Sequence, residues 1–339
     1  MPALTPAELP SFAQTMDLIK INAAEETYMS TFPALTYDYA PNQPLSTARS
    51  YGGHAFAQAL WAASIGIADS GLRAHEANGY WTQPGYADRP FIYEVKTLSM
   101  TRSFALRQVT ARQPTHPSTA CPFAPSDARN ELGPAAFVLT SSFKRPEEGG
   151  GGGGVGSPSY GLDFDAAKFG DLVRGVDPAT HPRDVFLRAP GGNGMIRLAD
   201  FPSIDVRTPD LRAWNAPRPG SGYRRLHVYR ASEPLRLDAN LVAALHAYVS
   251  DRAGLDVLRN AFGADVIGVS GSLNHKIVFH VSPEEMRVDE QGWFVQEMSS
   301  SRGGQGRGLV ESRIWSPQGV LVATTVQDML FRKYQAKLA

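Results

Sequence analysis

The chain repeats one order of elements on either side of six consecutive glycines, Gly149 to Gly154. With Pro146, Glu147, Glu148, Ser157 and Pro158 around it, this run cannot recover its backbone entropy by packing, so Arg145 to Gly161 reads as a flexible linker. Before it, Gly52-Gly53 opens an apolar, helix-forming run from His54 to Ala68. Extended pieces follow around Gly79-Tyr80-Trp81, from Phe91 to Leu98, from Phe104 to Arg112 and from Ala136 to Lys144. After it, Asp238 precedes a helical run from Ala239 to Val249, in which Leu241, Leu245 and Val249 recur at i, i+4. Strand-like runs then follow at Ile277 to Val281, Trp293 to Met298, Leu309 to Trp315 and Val320 to Phe331. Gly53 to Phe137 spans 84 residues and Ala239 to Leu321 spans 82, a spacing expected of a duplicated unit. Each half then reads as α+β, one long helix with an antiparallel sheet curved around it. The expected division is residues 20–145, a linker and insertion at 146–221, and residues 222–335. Pattern alone leaves open a single large α+β domain without duplication.

Composition narrows the function classes. Lysine plus arginine equals aspartate plus glutamate at 33 each, so no bulk field attracts nucleic acid or an anionic membrane. The one cysteine, Cys121, excludes an intramolecular disulfide and a cysteine metal cluster. It lies in a proline-rich loop, Pro114 to Pro134, with no basic partner in view, and is not read as a nucleophile. Neither a metal nor a cofactor is expected. The start, Met1-Pro2-Ala3-Leu4, does not read as a signal peptide, and no stretch approaches the ~18 apolar residues of a membrane span. Ala336-Lys337-Leu338 resembles a peroxisomal address, but Ala339 covers it, so peroxisomal and cytoplasmic placement both stay open.

Three stretches resemble the type II acyl-CoA thioesterases, which carry two hotdog domains in one chain. The first is Tyr51-Gly52-Gly53-His54 with Ala57-Gln58-Ala59, similar to the family's Phe-Gly-Gly-Gln and Ala-Gln-Ala. The second runs from Gly79-Tyr80-Trp81 through Pro84-Gly85 and Tyr93-Glu94-Val95 to Arg102-Ser103-Phe104. The third joins His246 to Asp251, Ser272-Leu273-Asn274-His275, Phe279-His280, Gly306-Arg307-Gly308 and Val326-Gln327-Asp328. The resemblance implies a tandem double hotdog and hydrolysis of an acyl-CoA to free acid and coenzyme A, a part of fatty acid metabolism. It also leaves room for homo-oligomers joined through the hotdog sheets.

By the same resemblance the catalytic roles fall on Asp251, Ser272 and Gln327, which would hold and activate water. Each also has a plain structural reading: a surface carboxylate, a turn serine and a core amide with an ordinary hydrogen bond. Asp251 is the odder of these, because an anion in a last helical turn is opposed by the helix dipole. Gly53, His54, Tyr80, Arg302 and Arg307 are the expected substrate-binding residues. The Gly52-Gly53 turn could present N–H groups to a thioester oxygen or a phosphate. Arg302 to Gly308 reads either as a phosphate-binding loop or as a glycine-rich hairpin with solvated arginines. The chain departs from the family at His54, where glutamine is usual, and at Asn274, where aspartate is usual. Those departures keep alive an acyl-binding protein without turnover; a hydratase is the other hotdog alternative.

Overall fold

The computed structural model describes residues 10–22, 24–36, 49–146, 161, 177–183, 201–262 and 267–333. The glycine run and the Ala336-Lys337-Leu338 sequence lie outside these residues. Strand alternation sets the sheet. On β6 (Phe137–Lys144), Phe137, Leu139, Ser141 and Phe143 are buried; on β12 (Leu321–Lys333), Ala323, Thr325, Gln327, Met329 and Phe331 are. The other strands of the first half are β1 (Leu18–Asn22), β2 (Thr27–Ser30), β3 (Arg73–Trp81), β4 (Ile92–Met100) and β5 (Phe104–Arg112). Those of the second are β7 (Ile204–Arg207), β8 (Arg225–Ala231), β9 (Ile267–Phe279), β10 (Phe294–Gly304) and β11 (Arg307–Trp315).

All twelve join in one antiparallel sheet, in the order β1-β2-β4-β5-β6-β3-β9-β12-β11-β10-β8-β7. Adding six to each label of the first half gives the second half read backwards, so the duplication is visible in the topology. The seam is β3 against β9, with Glu76 to Tyr80 paired to Val278 to Asn274. This is the double hotdog, an α+β fold.

Two central helices lie on the inner face. α1 (Phe12–Thr15) is a single capped turn; α2 (Gly52–Ile65) is the first central helix. α3 (Arg212–Asn215) is short; α4 (Ala239–Ser250) is the second central helix, and α5 (Gly254–Phe262) follows it directly. α2 and α4 are rich in alanine on all sides, Ala55, Ala59, Ala62, Ala243, Ala244 and Ala247 among them, and both are almost wholly buried. Small side chains let the two helices approach closely, and they run antiparallel. Tyr51, at the start of α2, donates its hydroxyl to the Tyr248 carbonyl near the end of α4 at 2.5 Å. Asn240, at the start of α4, accepts the Ala74 N–H at 2.8 Å, beyond the end of α2. Phe12, Tyr51 and Phe201 all meet the Tyr248 ring edge-on, at 5.6, 5.1 and 5.8 Å. Such contacts contribute ~0.5–1.5 kcal/mol each beyond burial, so they fix the end of α4 from three directions.

Two features differ from the sequence reading. Each half has two further strands before its central helix, and β7 lies inside 146–221, so that stretch is not wholly linker and insertion. These strands form the outermost pair at each end of the sheet, and all but β8 have five residues or fewer, too few for a period to show. Strand β9 also begins well before Ile277, which puts Ser272 within a strand and not in a turn.

Candidate active site

Asp251 caps the C-terminal end of α4, where the dipole of its own helix opposes a negative charge. The compensation comes from the other half. The Asp251 carboxylate accepts the backbone N–H of Gly53, in the first turn of α2, so it sits at the positive end of a different helix. Gln327, on the inner face of β12, uses its amide nitrogen twice: it donates to Asp251 Oδ1 and, at 2.7 Å, to Ser272 Oγ. Both amide protons are then committed. The three residues come from α4, β9 and β12, and the contact to Gly53 adds α2.

Ser272 reaches this face through a β-bulge. Gln327 pairs with His275 and Asp328 with Asn274, but Met329 pairs with Ser272, so Leu273 is skipped. One extra residue inverts the alternation and turns Ser272 to the same side as Gln327. Asn274 secures the bulge, its Oδ1 accepting the Asp328 N–H at 3.0 Å. Behind the cluster, Ser250 donates to the Ala247 carbonyl at 2.9 Å and meets His275 Nε2 at 2.9 Å. With its one proton spent, Ser250 must accept from His275. Gln296 Nε2 bonds the Ser250 carbonyl and Ser312 Oγ, both at 3.1 Å, fixing the backbone before Asp251. Burial raises the Asp251 carboxyl to about 7, against opposing pulls from the Gln327 and Gly53 hydrogen bonds and the Arg252 charge. Burial also lowers His275 to about 3, so its ring is neutral at physiological pH.

A sequence profile of the acyl-CoA thioesterase C-terminal domain matches residues 177–331, and one of the N-terminal domain matches residues 41–122. The chain belongs to the type II acyl-CoA thioesterase family. It is 27% identical over 301 residues to acyl-CoA thioesterase 2 of Haemophilus influenzae, covering 86% of this chain and 90% of that one. It is 24% identical over 298 residues to mouse acyl-coenzyme A thioesterase 8, covering 84% and 80%. Among solved structures, acyl-CoA thioesterase II TesB2 from Mycobacterium marinum superposes with a TM-score of 0.64 at 22% identity, over 96% of this chain and 99% of that one. A hot dog fold protein from Alicyclobacillus acidocaldarius gives 0.61 at 17%, over 96% and 98%.

Of the residues expected to bind substrate in this thioesterase family member, Gly53 lies at the cluster. The ring of His54 is fully buried, bonded to Gln58 Oε1 at 3.1 Å and set between Phe91 and Tyr248. Tyr80 is on the outer face and half exposed; strand alternation turns its neighbour Trp81 inward instead. Arg302 and Arg307 stand on a tight hairpin whose two loop residues, Gln305 and Gly306, have φ of 52° and 74°. Arg307 is paired with Asp328. The glycines there have a packing reason: a Cβ on Gly303 would lie 2.4 Å from Phe262, and one on Gly308 2.4 Å from Leu258, both on α5. Gly303 and Gly308 are thus accounted for by the close approach of α5. Within Gly79-Tyr80-Trp81 the sequence reading chose Tyr80, and only parity on β3 points to Trp81 as the inward ring of the two. No group of three or more metal-binding side chains occurs among the described residues. Nor is any helix there long and apolar enough to cross a membrane.

The related bulge in the first half lies where β3 slips between Ala74 and Glu76 against β6. Matching the two bulges puts Ala74 where Ser272 stands and Ser141 where Gln327 stands. The constellation of hydroxyl and amide is thus present at one end of the helix pair and not at its duplicate.

Gly52 borders the cluster, since a Cβ there would lie 2.9 Å from Asp251 Oδ2 and 3.1 Å from Trp81 Cζ2. Gly52→Ala should displace the carboxylate and lower kcat between tenfold and about 10²-fold. Its better helix propensity, worth ~1 kcal/mol, should keep the melting temperature near the original. Unchanged kcat would show that the carboxylate tolerates displacement.

Proposed function

We propose that Asp251, Ser272 and Gln327 hydrolyse the thioester of an acyl-CoA by activating water directly, without a covalent acyl-enzyme. The observation that carries this is the Gln327 amide joining a buried carboxylate to a hydroxyl. Ser272, by accepting from Gln327, keeps its own proton free to orient a water beside Asp251. A thioester is already activated, because sulfur donates weakly into the carbonyl. A held water and a base are then sufficient without a cofactor. The water oxygen bonds to the carbonyl carbon as its proton passes to Asp251. The tetrahedral oxyanion then collapses, the C–S bond breaks with its electron pair on sulfur, and the thiolate takes the proton from Asp251.

In this reading the C-terminal hotdog, which we begin before β7 and not at residue 222, carries the three reacting side chains. The N-terminal hotdog supplies the helix terminus. A fatty or related acyl substrate is supported by the partly buried Trp81 ring, packed on Phe56 and Phe137, which gives the cluster an apolar neighbour. Contact of Arg302 or Arg307 with coenzyme A phosphates is supported by their exposure alone. A homo-oligomer joined through the sheets is supported by exposed Phe104 and Leu106 on β5, and light scattering tests it. Peroxisomal as against cytoplasmic placement rests on the Ala336-Lys337-Leu338 sequence.

Thiol release from a panel of acyl-CoAs differing in length and polarity tests the function; release from none of them would reject it. A base held at about 7 is protonated below that value and ionised above it. kcat/KM should therefore rise with pH through about 7 and level off above it. A profile flat across this range would remove Asp251 as the titrating base.

A further inference from the structure

The indole of Trp81 carries a buried N–H with no acceptor among the described residues. The ring turns inward at the end of β3 and packs on Phe137 at 5.2 Å and Phe56 at 6.4 Å. Phenylalanine would make the same packing without burying a polar atom, and an unsatisfied buried donor costs ~1–3 kcal/mol. The Cζ2–Cε2 side of the ring, next to the donor, lies beside the cluster. The Cβ position of Gly52 lies 3.2 Å from Trp81 Cε2, the carbon bonded to Nε1, and 2.9 Å from Asp251 Oδ2. Meanwhile two N–H groups of the α2 first turn are engaged, that of Gly53 with Asp251 and that of His54 with the Tyr51 carbonyl. The oxyanion formed in the attack needs a donor beside the carboxylate that does not also hold it.

We propose that Trp81 is a further catalytic residue, its indole N–H donating to the thioester carbonyl oxygen and more strongly to the oxyanion. This rests on the hydrolase reading above. As water adds, the carbonyl π pair moves onto oxygen and is held by Nε1–H. When the C–S bond breaks, that pair returns to form the carboxylic acid carbonyl, and the indole neither gains nor loses a proton.

Two measurements test the assignment. Trp81→Phe keeps an aromatic ring against Phe56 and Phe137 and removes the N–H. It should lower kcat by about 10²-fold, the effect of losing one oxyanion donor, with a much smaller change in KM and a melting temperature equal to the native value or higher, since the unsatisfied donor is gone. Second, in the native protein the ¹⁵N-indole resonance of Trp81, assigned through its contacts with Phe56 and Phe137, should move downfield on binding a ketone analogue of acyl-CoA. That analogue has a methylene between sulfur and the carbonyl and cannot be hydrolysed. A thioether analogue lacking the carbonyl should leave the resonance in place. Native kcat in Trp81→Phe, or a resonance indifferent to the carbonyl, overturns the role of Trp81. If the variant does not fold, the resonance decides. Native protein that turns over no acyl-CoA instead overturns the hydrolase reading itself.

Discussion

Asp251→Asn is expected to lower turnover by ~10²–10⁴-fold, the usual loss for a general base, while making the folded protein more stable at pH 8. The second part follows from the direction of the shift. The carboxyl is raised from 3.8 to about 7 in the fold, chiefly by burial. Between those values the folded chain binds the proton more tightly than the unfolded chain does. Its stability therefore falls as pH rises from about 4 to about 7 and stays lowered above that. At 1.36 kcal/mol per unit the ceiling is about 4 kcal/mol. The asparagine keeps one acceptor for Gln327 or Gly53 and leaves an amide N–H to be placed, so a gain on the order of 1–2 kcal/mol is expected. Melting curves of both proteins at pH 8 and pH 4 check this. The variant should lead at pH 8, and the lead should vanish at pH 4. Near-normal turnover on the best substrate would take Asp251 out of the mechanism.

Separating the halves should abolish activity. Residues 201–339 hold Asp251, Ser272 and Gln327, yet the Gly53 N–H that receives the carboxylate and the Trp81 ring beside it belong to the other part. Removal of residues 1–146 also strips β3 from β9, leaving an unpaired inner strand edge, and uncovers the α4 face that packs on α2. The ion pairs from β3 to the other half among the described residues, Glu76 with Lys276 at 3.0 Å and Arg73 with Glu284 at 3.2 Å, are partly exposed and contribute little. Aggregation or pairing of two copies through β9 is the expected outcome, with thiol release at background. Light scattering and the thiol assay, with and without residues 1–146 added, settle the matter. A monomeric, folded and active 201–339 fragment would mean that the tandem arrangement does not build the site.

The central helices and the later strands of each half were legible because each is long enough for its period to repeat. The outermost strand pairs were not, since Thr27 to Ser30 or Ile204 to Arg207 has only four residues, too few for the alternation to repeat. The Asp251, Ser272 and Gln327 grouping came from family resemblance; the residues by themselves pointed elsewhere. Asp251 looked electrostatically misplaced because its favourable partner is a helix start about two hundred residues earlier in the chain. Ser272 looked like a turn because the bulge at Leu273 breaks the alternation that would have marked a strand. The glycines from Gly303 to Gly308 suggested an anion loop, but close approach of Phe262 and Leu258 accounts for two of them.

The burial of Asp251 across the junction of the halves ties base strength to the contact between them. Without the first turn of α2 against it, the carboxylate would meet water and lie nearer its ordinary value of 3.8. A base weaker by about three units is roughly 10³-fold less able to hold a proton. The proposed base therefore takes its strength from the junction of the halves, and a substitution that opens the junction would weaken the base without touching it.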